Sequence, residues 1–428
     1  MRFLSMIGVI GVLLPGRASA RQAGDPISLA EGLRLADRFR VEAIETRRFT
    51  HADLWKAVEP SLASPALKAE EIGRSIHGRE IRSVTFGQGQ TKVLLWSQMH
   101  GDESTATMAL ADIVRFLAAR DPHPLRDRLH RDLTIVFVPM LNPDGAELFR
   151  RQNAAGIDIN RDARPLATPE ARALKSLRDR LAPDFGFNLH DQGARTRAGG
   201  DGPPAAIALL DPAFDEPRGY NPVRTRARLV AAGIARALGT EIPGRIARYD
   251  DTFNPRAFGD LMQLWGTSTV LIESGGLPND PEKQRLRALN VAALLGALDA
   301  IATRAYTRAD PDWYETLPRN VPGASDILIS GGSLVLPGRL TAVVRADVTI
   351  TYDDAVARTG PRIREVGDLE GAIALDTVDA RGLFLHPGRE SLVVGRRQSS
   401  LIIGAPARIE IRRAANPRSQ LVRRIEPR

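Results

Sequence analysis

The stretch Lys92 to Glu103, which reads Lys-Val-Leu-Leu-Trp-Ser-Gln-Met-His-Gly-Asp-Glu, decides the fold. Its first half is an apolar run typical of a buried strand, and Ser104 to Arg120 repeats apolar residues with the helical period. His100 and Glu103 fall between them, at the carboxyl end of the strand, where open α/β sheets bind their ligands. An imidazole and a carboxylate at this spacing can bind one metal ion. The stretch therefore predicts an α/β domain with a metal site.

Strand and helix patterns alternate along the chain beyond this stretch. Further buried strands are predicted at 134–139, 184–189 and 267–272, and helices at 169–181, 221–238 and 281–304. Alternation of this kind predicts a mostly parallel or mixed sheet flanked by helices.

The length and a change of pattern indicate two domains. A chain of 428 residues is too long for one ordinary core. Prolines and a glycine crowd together near residues 310–325, and short apolar runs then alternate with Gly and Pro turns. We predict an α/β domain over residues 21–320 and a β-rich accessory domain, β-sandwich-like, over residues 326–428.

The first twenty residues have the pattern of a secretory signal. Arg2 gives a basic start, a short apolar stretch runs to Leu14, and Ala18-Ser19-Ala20 ends it. The alternative is a retained anchor, but the apolar run is shorter than the roughly 20 residues that span a bilayer. We predict a signal peptide at residues 1–20, cleavage after Ala20, and a periplasmic or secreted protein with no integral membrane segment after cleavage.

Composition excludes several classes of protein. The chain has no cysteine, which excludes disulfides, thiolate metal sites and a cysteine nucleophile. Its net charge of +8 comes mostly from scattered arginines, and aromatic residues make up only 5%. No basic run is interleaved with aromatics, so nucleic acid is not an expected partner.

Two further residues are predicted at the same edge of the sheet as His100 and Glu103. His190 ends the third strand and completes a set of two histidines and one carboxylate, which leaves a fourth position open on zinc. The ion lowers the pKa of a water at that position to about 7. Glu273 follows the fourth strand, and we expect it to act as the general base. The other histidines have no partner at ligand spacing: His51, His77, His123, His130 and His386.

Polar residues between the second and third strands are candidate substrate contacts. Guanidinium groups bind carboxylates in a forked geometry and can stabilise an oxyanion. We expect Arg161 with Asn160 to hold a terminal carboxylate and Arg151 to polarise the scissile carbonyl.

This set of residues resembles the zinc carboxypeptidases, the family of pancreatic carboxypeptidases A and B and their bacterial relatives. The resemblance covers roughly residues 45 to 305. It is carried by the lead-in 73–81, His100-Gly101-Asp102-Glu103, Asn142-Pro143-Asp144-Gly145, Arg151, Asp158-Ile159-Asn160-Arg161, His190 and Glu273. The resemblance implies an eight-stranded mixed sheet with flanking helices. It also implies one Zn²⁺ on His100, Glu103 and His190, Glu273 as general base, and substrate binding by Arg151, Asn160 and Arg161.

The sequence departs from the family at three places. Asp191-Gln192-Gly193 follows His190, where most relatives have a small hydroxyl residue, and residues 195–222 form an expected loop rich in Gly and Pro. Tyr249 corresponds to a family tyrosine that closes over the substrate, although the residues after it do not follow the family pattern. Asp260 lies where the family has specificity determinants, and we leave it unassigned.

The C-terminal part resembles the small β domain of amidohydrolases, through the segments 326–332, 346–350 and 378–388. The His-x-His metal motif of those enzymes is absent. We therefore expect a structural or substrate-restricting module.

Together these features predict an exported zinc metallocarboxypeptidase that hydrolyses the C-terminal peptide bond with zinc-activated water and a Glu general base. The partner would be a peptide or peptidoglycan peptide with a free C-terminal carboxylate. One alternative is a murein-peptide amidase or γ-D-glutamyl-diaminoacyl peptidase, and another is a non-catalytic peptide-binding protein. The residue preferred at the cleaved end and the oligomeric state stay open.

Overall fold

The computed structural model describes residues 25–337, 341–354, 358–394 and 399–426. The predicted signal peptide at residues 1–20 lies outside these ranges. Within them, no helix combines the length and apolar character that crossing a membrane requires.

An eight-stranded mixed sheet forms the centre of the α/β part. Its strands are β1 (Leu67–Arg74), β2 (Glu80–Phe86), β3 (Thr91–Ser97), β4 (Leu133–Val138), β5 (Phe185–Asp191), β7 (Ile207–Leu210), β8 (Ile246–Arg248) and β9 (Ser268–Ser274), while β6 (Thr196–Ala198) lies outside it. The order across the sheet is β1-β2-β4-β3-β5-β9-β7-β8. The central strands β4, β3, β5 and β9 are parallel. The antiparallel pairs are β1 with β2, β2 with β4, and β7 with β9, while β7 and β8 are parallel. The predicted mixed sheet is confirmed.

Helices cover both faces of this sheet. They are α1 (Leu29–Arg38), α2 (His51–Leu62), α3 (Thr105–Ala118), α4 (Pro124–Asp132), α5 (Pro143–Glu147), α6 (Pro169–Leu181), α7 (Pro222–Gly239), α8 (Phe258–Leu264), α9 (Gln284–Ala302) and α10 (Asp312–Glu315). Successive side chains of a strand point to opposite faces. Val93 and Leu95 of β3 accordingly pack into one apolar cluster with α1, α3, α7 and α9. Leu94 and Trp96 pack into a second cluster with α6 and α8.

Two central strands are longer than the sequence predicts. β5 runs to Asp191 and β9 to Ser274, and they pair in register with His190 opposite Glu273. Both residues therefore lie inside strands, because the ladder of backbone hydrogen bonds continues past the apolar runs. This pairing brings the second histidine beside the expected base.

The Gly and Pro content of residues 195–222 predicts a loop, but the structure differs. The segment contains β7, a fully buried strand that pairs antiparallel with β9. Periodicity alone cannot distinguish the short apolar run Ile207-Ala208-Leu209-Leu210 from a buried helix segment. Its place in the sheet depends on pairing with a strand about 60 residues later in the chain.

The C-terminal part is β-rich, as predicted, with its own apolar core. A seven-stranded sheet is ordered β13-β12-β11-β15-β18-β19, with β14 also paired to β11. The strands here are β10 (Asn320–Pro322), β11 (Ser325–Leu336), β12 (Ala342–Asp354), β13 (Thr359–Gly367), β14 (Ala374–Asp379), β15 (Phe384–Pro387), β16 (Leu392–Val394), β17 (Ser399–Leu401), β18 (Ile409–Arg412) and β19 (Leu421–Ile425). β16 pairs with β17, whereas β10 pairs back to β6 of the α/β part.

Candidate metal centre and cleft

Three predicted metal ligands converge at the carboxyl edge of the sheet. His100 and Glu103 lie in the turn between β3 and α3, and His190 is the penultimate residue of β5. Their ligand atoms all lie within 4.8 Å of one another, and within the described ranges no other three such side chains form a comparable group. His100 Nδ1 is 2.8 Å from Glu103 Oε1, and His190 Nδ1 is 2.7 Å from Glu103 Oε2.

The chemistry of these donors fits zinc. Two imidazole nitrogens and one carboxylate are a donor set of catalytic zinc sites, which keep a fourth position open. His100 Nδ1 is buried, and its short contact with Glu103 does not have the geometry of a hydrogen bond. This nitrogen is therefore available as a ligand atom.

Asp158 holds the other side of the His100 ring. His100 Nε2 is 3.0 Å from Asp158 Oδ1, and Arg151 donates to Asp158 Oδ2 through Nε at 3.0 Å and Nη2 at 2.9 Å. A carboxylate behind a metal-binding imidazole fixes its tautomer and its orientation. The sequence motif contains Asp158, but the spacing alone assigned it no role.

Charges around the two histidines differ, and so do their pKa values. Burial acts to lower the pKa of His100, but the Glu103 and Asp158 carboxylates overcome it and raise the pKa to about 9. Burial lowers the pKa of His190, although the Glu103 carboxylate at its Nδ1 acts to raise it. Burial opposes ionisation of Glu103, yet the neighbouring imidazoles hold its pKa well below the usual range. Glu103 is therefore ionised, as a metal ligand must be.

Glu273 lies beside the ligand set, opposite His190 in the β5–β9 ladder. The residue is buried, and its Oε2 has no hydrogen-bond partner among the described residues. Burial, followed by the nearby Glu103 charge, raises the pKa of Glu273 above its ordinary value. An unpartnered carboxyl group in this position is suited to exchanging a proton.

One cleft of about 1020 Å³ brings the predicted substrate contacts to the metal centre. It is lined by Arg151, Asn160, Arg161 and Tyr249 together with the three ligands and Glu273. Asn160 Oδ1 accepts a hydrogen bond from the backbone of Phe258 at 2.9 Å, which fixes the amide against α8. Burial raises the pKa of Tyr249 to about 12, so its phenol stays protonated at neutral pH.

Asp260, which the sequence left unassigned, also lines the cleft. Its carboxylate accepts a hydrogen bond from the Asn254 backbone at 2.8 Å. Burial raises the pKa of Asp260 to about 6.

Asp191, which follows His190 where most relatives have a small hydroxyl residue, belongs to a buried charge network. Asp191 Oδ2 contacts Arg47 Nη2 at 3.0 Å, Lys283 Nζ at 3.2 Å and Thr105 Oγ1 at 2.6 Å. Lys283 Nζ also donates to the carbonyl of Ser274 at 2.7 Å, so it ties the ends of β5 and β9 together. Arg47 and Lys283 line the cleft and were not predicted, because no local motif links residues so far apart in the chain.

Comparisons with known proteins agree with this geometry. Residues 60–195 match the family model described as zinc carboxypeptidase. A probable carboxypeptidase 2 from Arthroderma benhamiae is 30% identical over 102 residues, which are 23% of this chain and 19% of that protein. Cytosolic carboxypeptidase 6 from Mus musculus is 28% identical over 120 residues, 25% of this chain and 22% of that protein. The chain thus spans about a fifth of the length of the curated relatives it matches.

A solved metallo-carboxypeptidase from Burkholderia cenocepacia has a TM-score of 0.46 and 20% sequence identity, over 59% of this chain and 70% of that one. The segment matched by the family model contains His100, Glu103 and His190, the residues that the fold brings together. Residues 60–195, which contain these three residues, are thus similar to the zinc carboxypeptidase family.

Proposed function

We propose that this protein is a zinc-dependent metallocarboxypeptidase that removes the C-terminal residue of a peptide by hydrolysis. The observation that carries the proposal is the unpartnered Glu273 carboxyl group beside the converging His100, Glu103 and His190. The carboxypeptidase names of the relatives support the same activity. The residues 1–20 further favour a periplasmic or secreted protein.

The chain's own residues supply the acid–base steps. Zinc, when bound by the three ligands, lowers the pKa of water and polarises a carbonyl oxygen. Glu273 takes the proton of the attacking water as the new C–O bond forms, and it delivers that proton to the amine as the C–N bond breaks. Burial, and then the nearby Glu103 charge, raise the pKa of Glu273 and so favour its protonated form between these two steps. The products are a shortened peptide and a free amino acid.

The arginines of the cleft suit a peptide substrate that ends in a free C-terminal carboxylate. Arg161 brings a positive charge for the terminal carboxylate, and the Asn160 amide nitrogen is the second donor because its oxygen is already used. Arg151, held by Asp158 and close to the metal centre, is placed to stabilise the developing oxyanion. Tyr249 keeps its proton and is a further donor from the same cleft.

The test is release of C-terminal amino acids from synthetic peptides. We expect turnover to stop when a chelator removes the metal and to return when zinc is restored. The zinc-loaded Glu273→Gln variant should lose at least about a hundredfold in kcat, because the proton carrier is gone. Glu42→Gln, at an exposed position, is the matched control and should keep full activity.

Undiminished turnover in Glu273→Gln would remove this residue from the mechanism. Muropeptides with free carboxyl ends, assayed beside ordinary peptides, separate the murein-peptide alternative from the main proposal.

A further inference from the structure

The cleft is built by both parts of the chain. The α/β part contributes the metal ligands, Glu273 and the arginines described above. The β-rich part contributes Asp326, Ile327, Tyr352, Arg358, Leu375 and Asp376. A substrate in this cleft therefore meets the β-rich part as well as the catalytic residues.

On one side, the β-rich part is fastened to the loop that follows His190. β10 pairs antiparallel with β6, which lies within that loop. The side-chain amides of Gln192 and Asn320 bond to each other twice, at 2.6 and 3.2 Å. The loop thus connects a metal ligand directly to the chain entering the β-rich part.

Arg195 is the main clamp on this side. Its guanidinium contacts the Asp326 carboxylate at 2.8 Å and donates to the backbone carbonyl of Tyr352. Its own carbonyl accepts hydrogen bonds from the backbone of Gly323 and Ala324. Asp326 is buried and also accepts from the Tyr352 backbone at 2.6 Å, so the end of β12 is held in a defined position.

A second attachment joins the end of β12 to the segment before α2. Arg48 forms an ion pair with Asp354, two residues beyond Tyr352 in β12. Its neighbour Arg47 lines the cleft and donates to the carbonyl of Asp102, next to the metal ligand Glu103. The end of β12 is thus attached both to the loop after His190 and to the segment that supports the β3–α3 turn.

We propose that the end of β12, with Tyr352, and the neighbouring Asp376 form a wall that limits the length of peptide the enzyme accepts. This inference rests on the proposed function, since it takes Arg161 to hold the terminal carboxylate and the metal to hold the scissile carbonyl. The rest of the peptide then extends along the cleft, which the β-rich part also lines. Asp376 is held in this wall by Arg423 at 2.9 Å. The substrate class is short peptides, and the extended ends of folded proteins are excluded.

The test is a series of peptides that share their last two residues and grow from three to twelve residues. We expect kcat/KM to fall at least about tenfold along the series, because the longer peptides collide with the wall. Tyr352→Ala removes a side chain of the wall without touching its backbone bonds, and Arg195→Ala releases the clamp. Both should raise the ratio of kcat/KM for the longest to the shortest peptide by about tenfold. Arg381→Ala, which breaks an exposed pair with Asp379 inside the β-rich part, is the control and should leave the ratio unchanged.

Binding to zinc-loaded Glu273→Gln, measured by calorimetry, separates this inference from the proposed function. Tighter binding of short than of long peptides, relieved by adding Tyr352→Ala, supports the wall even if no peptide is hydrolysed. Equal affinity and equal turnover at all lengths, with no change in Tyr352→Ala, would overturn it.

Discussion

His100 lies between two carboxylates, and each has a separate task. Nδ1 faces Glu103 inside the ligand set, while Nε2 is bonded to Asp158. Because Asp158 also receives two bonds from Arg151, one carboxylate orients both a metal ligand and a guanidinium of the cleft. The residue that the motif left without a role is therefore a positioning residue for the metal centre.

We expect Asp158→Asn to weaken zinc binding by about 10- to 100-fold. The negative charge of Asp158 orients the His100 ring and makes the ring a more basic ligand, and the substitution removes this charge. Zinc affinity is measured by competition with a coloured chelator, which does not depend on turnover. Asp379→Asn, at an exposed carboxylate of the β-rich part, is the control. Equal affinities in both variants would show that Asp158 does not act on the metal site.

At the scale of elements, the turn between β3 and α3 is pressed against α5. A Cβ on Gly101 would lie 2.0 Å from the carbonyl carbon of Gly145 and 2.4 Å from the nitrogen of Ala146. Both are backbone atoms and cannot move alone. Glycine is therefore required at this position by close approach, and the approach sets where His100 and Glu103 stand.

We expect Gly101→Ala to lower the free energy of unfolding by about 1–3 kcal/mol and to weaken zinc binding at least about tenfold, because the turn must move away from α5. Urea denaturation followed by tryptophan fluorescence gives the first quantity, and chelator competition gives the second. Gly296→Ala is the matched control, since among the described residues no atom outside the backbone of α9 itself lies within 4 Å of a Cβ placed there. It should be neutral or stabilise the protein by up to about 1 kcal/mol. Unchanged zinc binding in Gly101→Ala would contradict this account of the turn.

At the scale of the whole molecule, the metal centre and the β-rich part have separate cores. The ligands come from strands and turns of the α/β part, whose apolar clusters contain none of the described residues of the β-rich part. All four tryptophans also lie in the α/β part, at positions 55, 96, 265 and 313. Tryptophan fluorescence therefore reports on the metal-binding part alone.

We expect metal removal to lower the thermal midpoint seen by tryptophan fluorescence, because zinc at a thousandfold excess over its Kd stabilises the folded state by about 4 kcal/mol. Hydrogen exchange in β11 and β12 should change little, since the core of the β-rich part has no ligand. In His190→Ala, the midpoint should be the same with and without zinc. If the chelator destabilised the α/β part and the β-rich part equally, the two parts would unfold as one unit, and this expectation would be wrong.

Much of the α/β architecture and the metal site could be predicted because the signals are local. Apolar runs mark strands β3, β4, β5 and β9, and the pattern at 169–181 coincides with α6. His100 and Glu103 share one turn. Since parallel strands end at one edge, His190 and Glu273 were expected beside them, as the structure shows.

The sequence alone determined the apolar periodicity, the ligand types and their spacing, because these depend on residues close together in the chain. Only the tertiary structure decided what surrounds the ligands. Arg47, Asp191 and Lys283 meet across more than 200 residues, β7 is a strand through its pairing with β9, and Tyr352 reaches the cleft because Arg195 holds β12 there. Such contacts depend on long-range packing and charge pairing, and no local pattern in the chain encodes them.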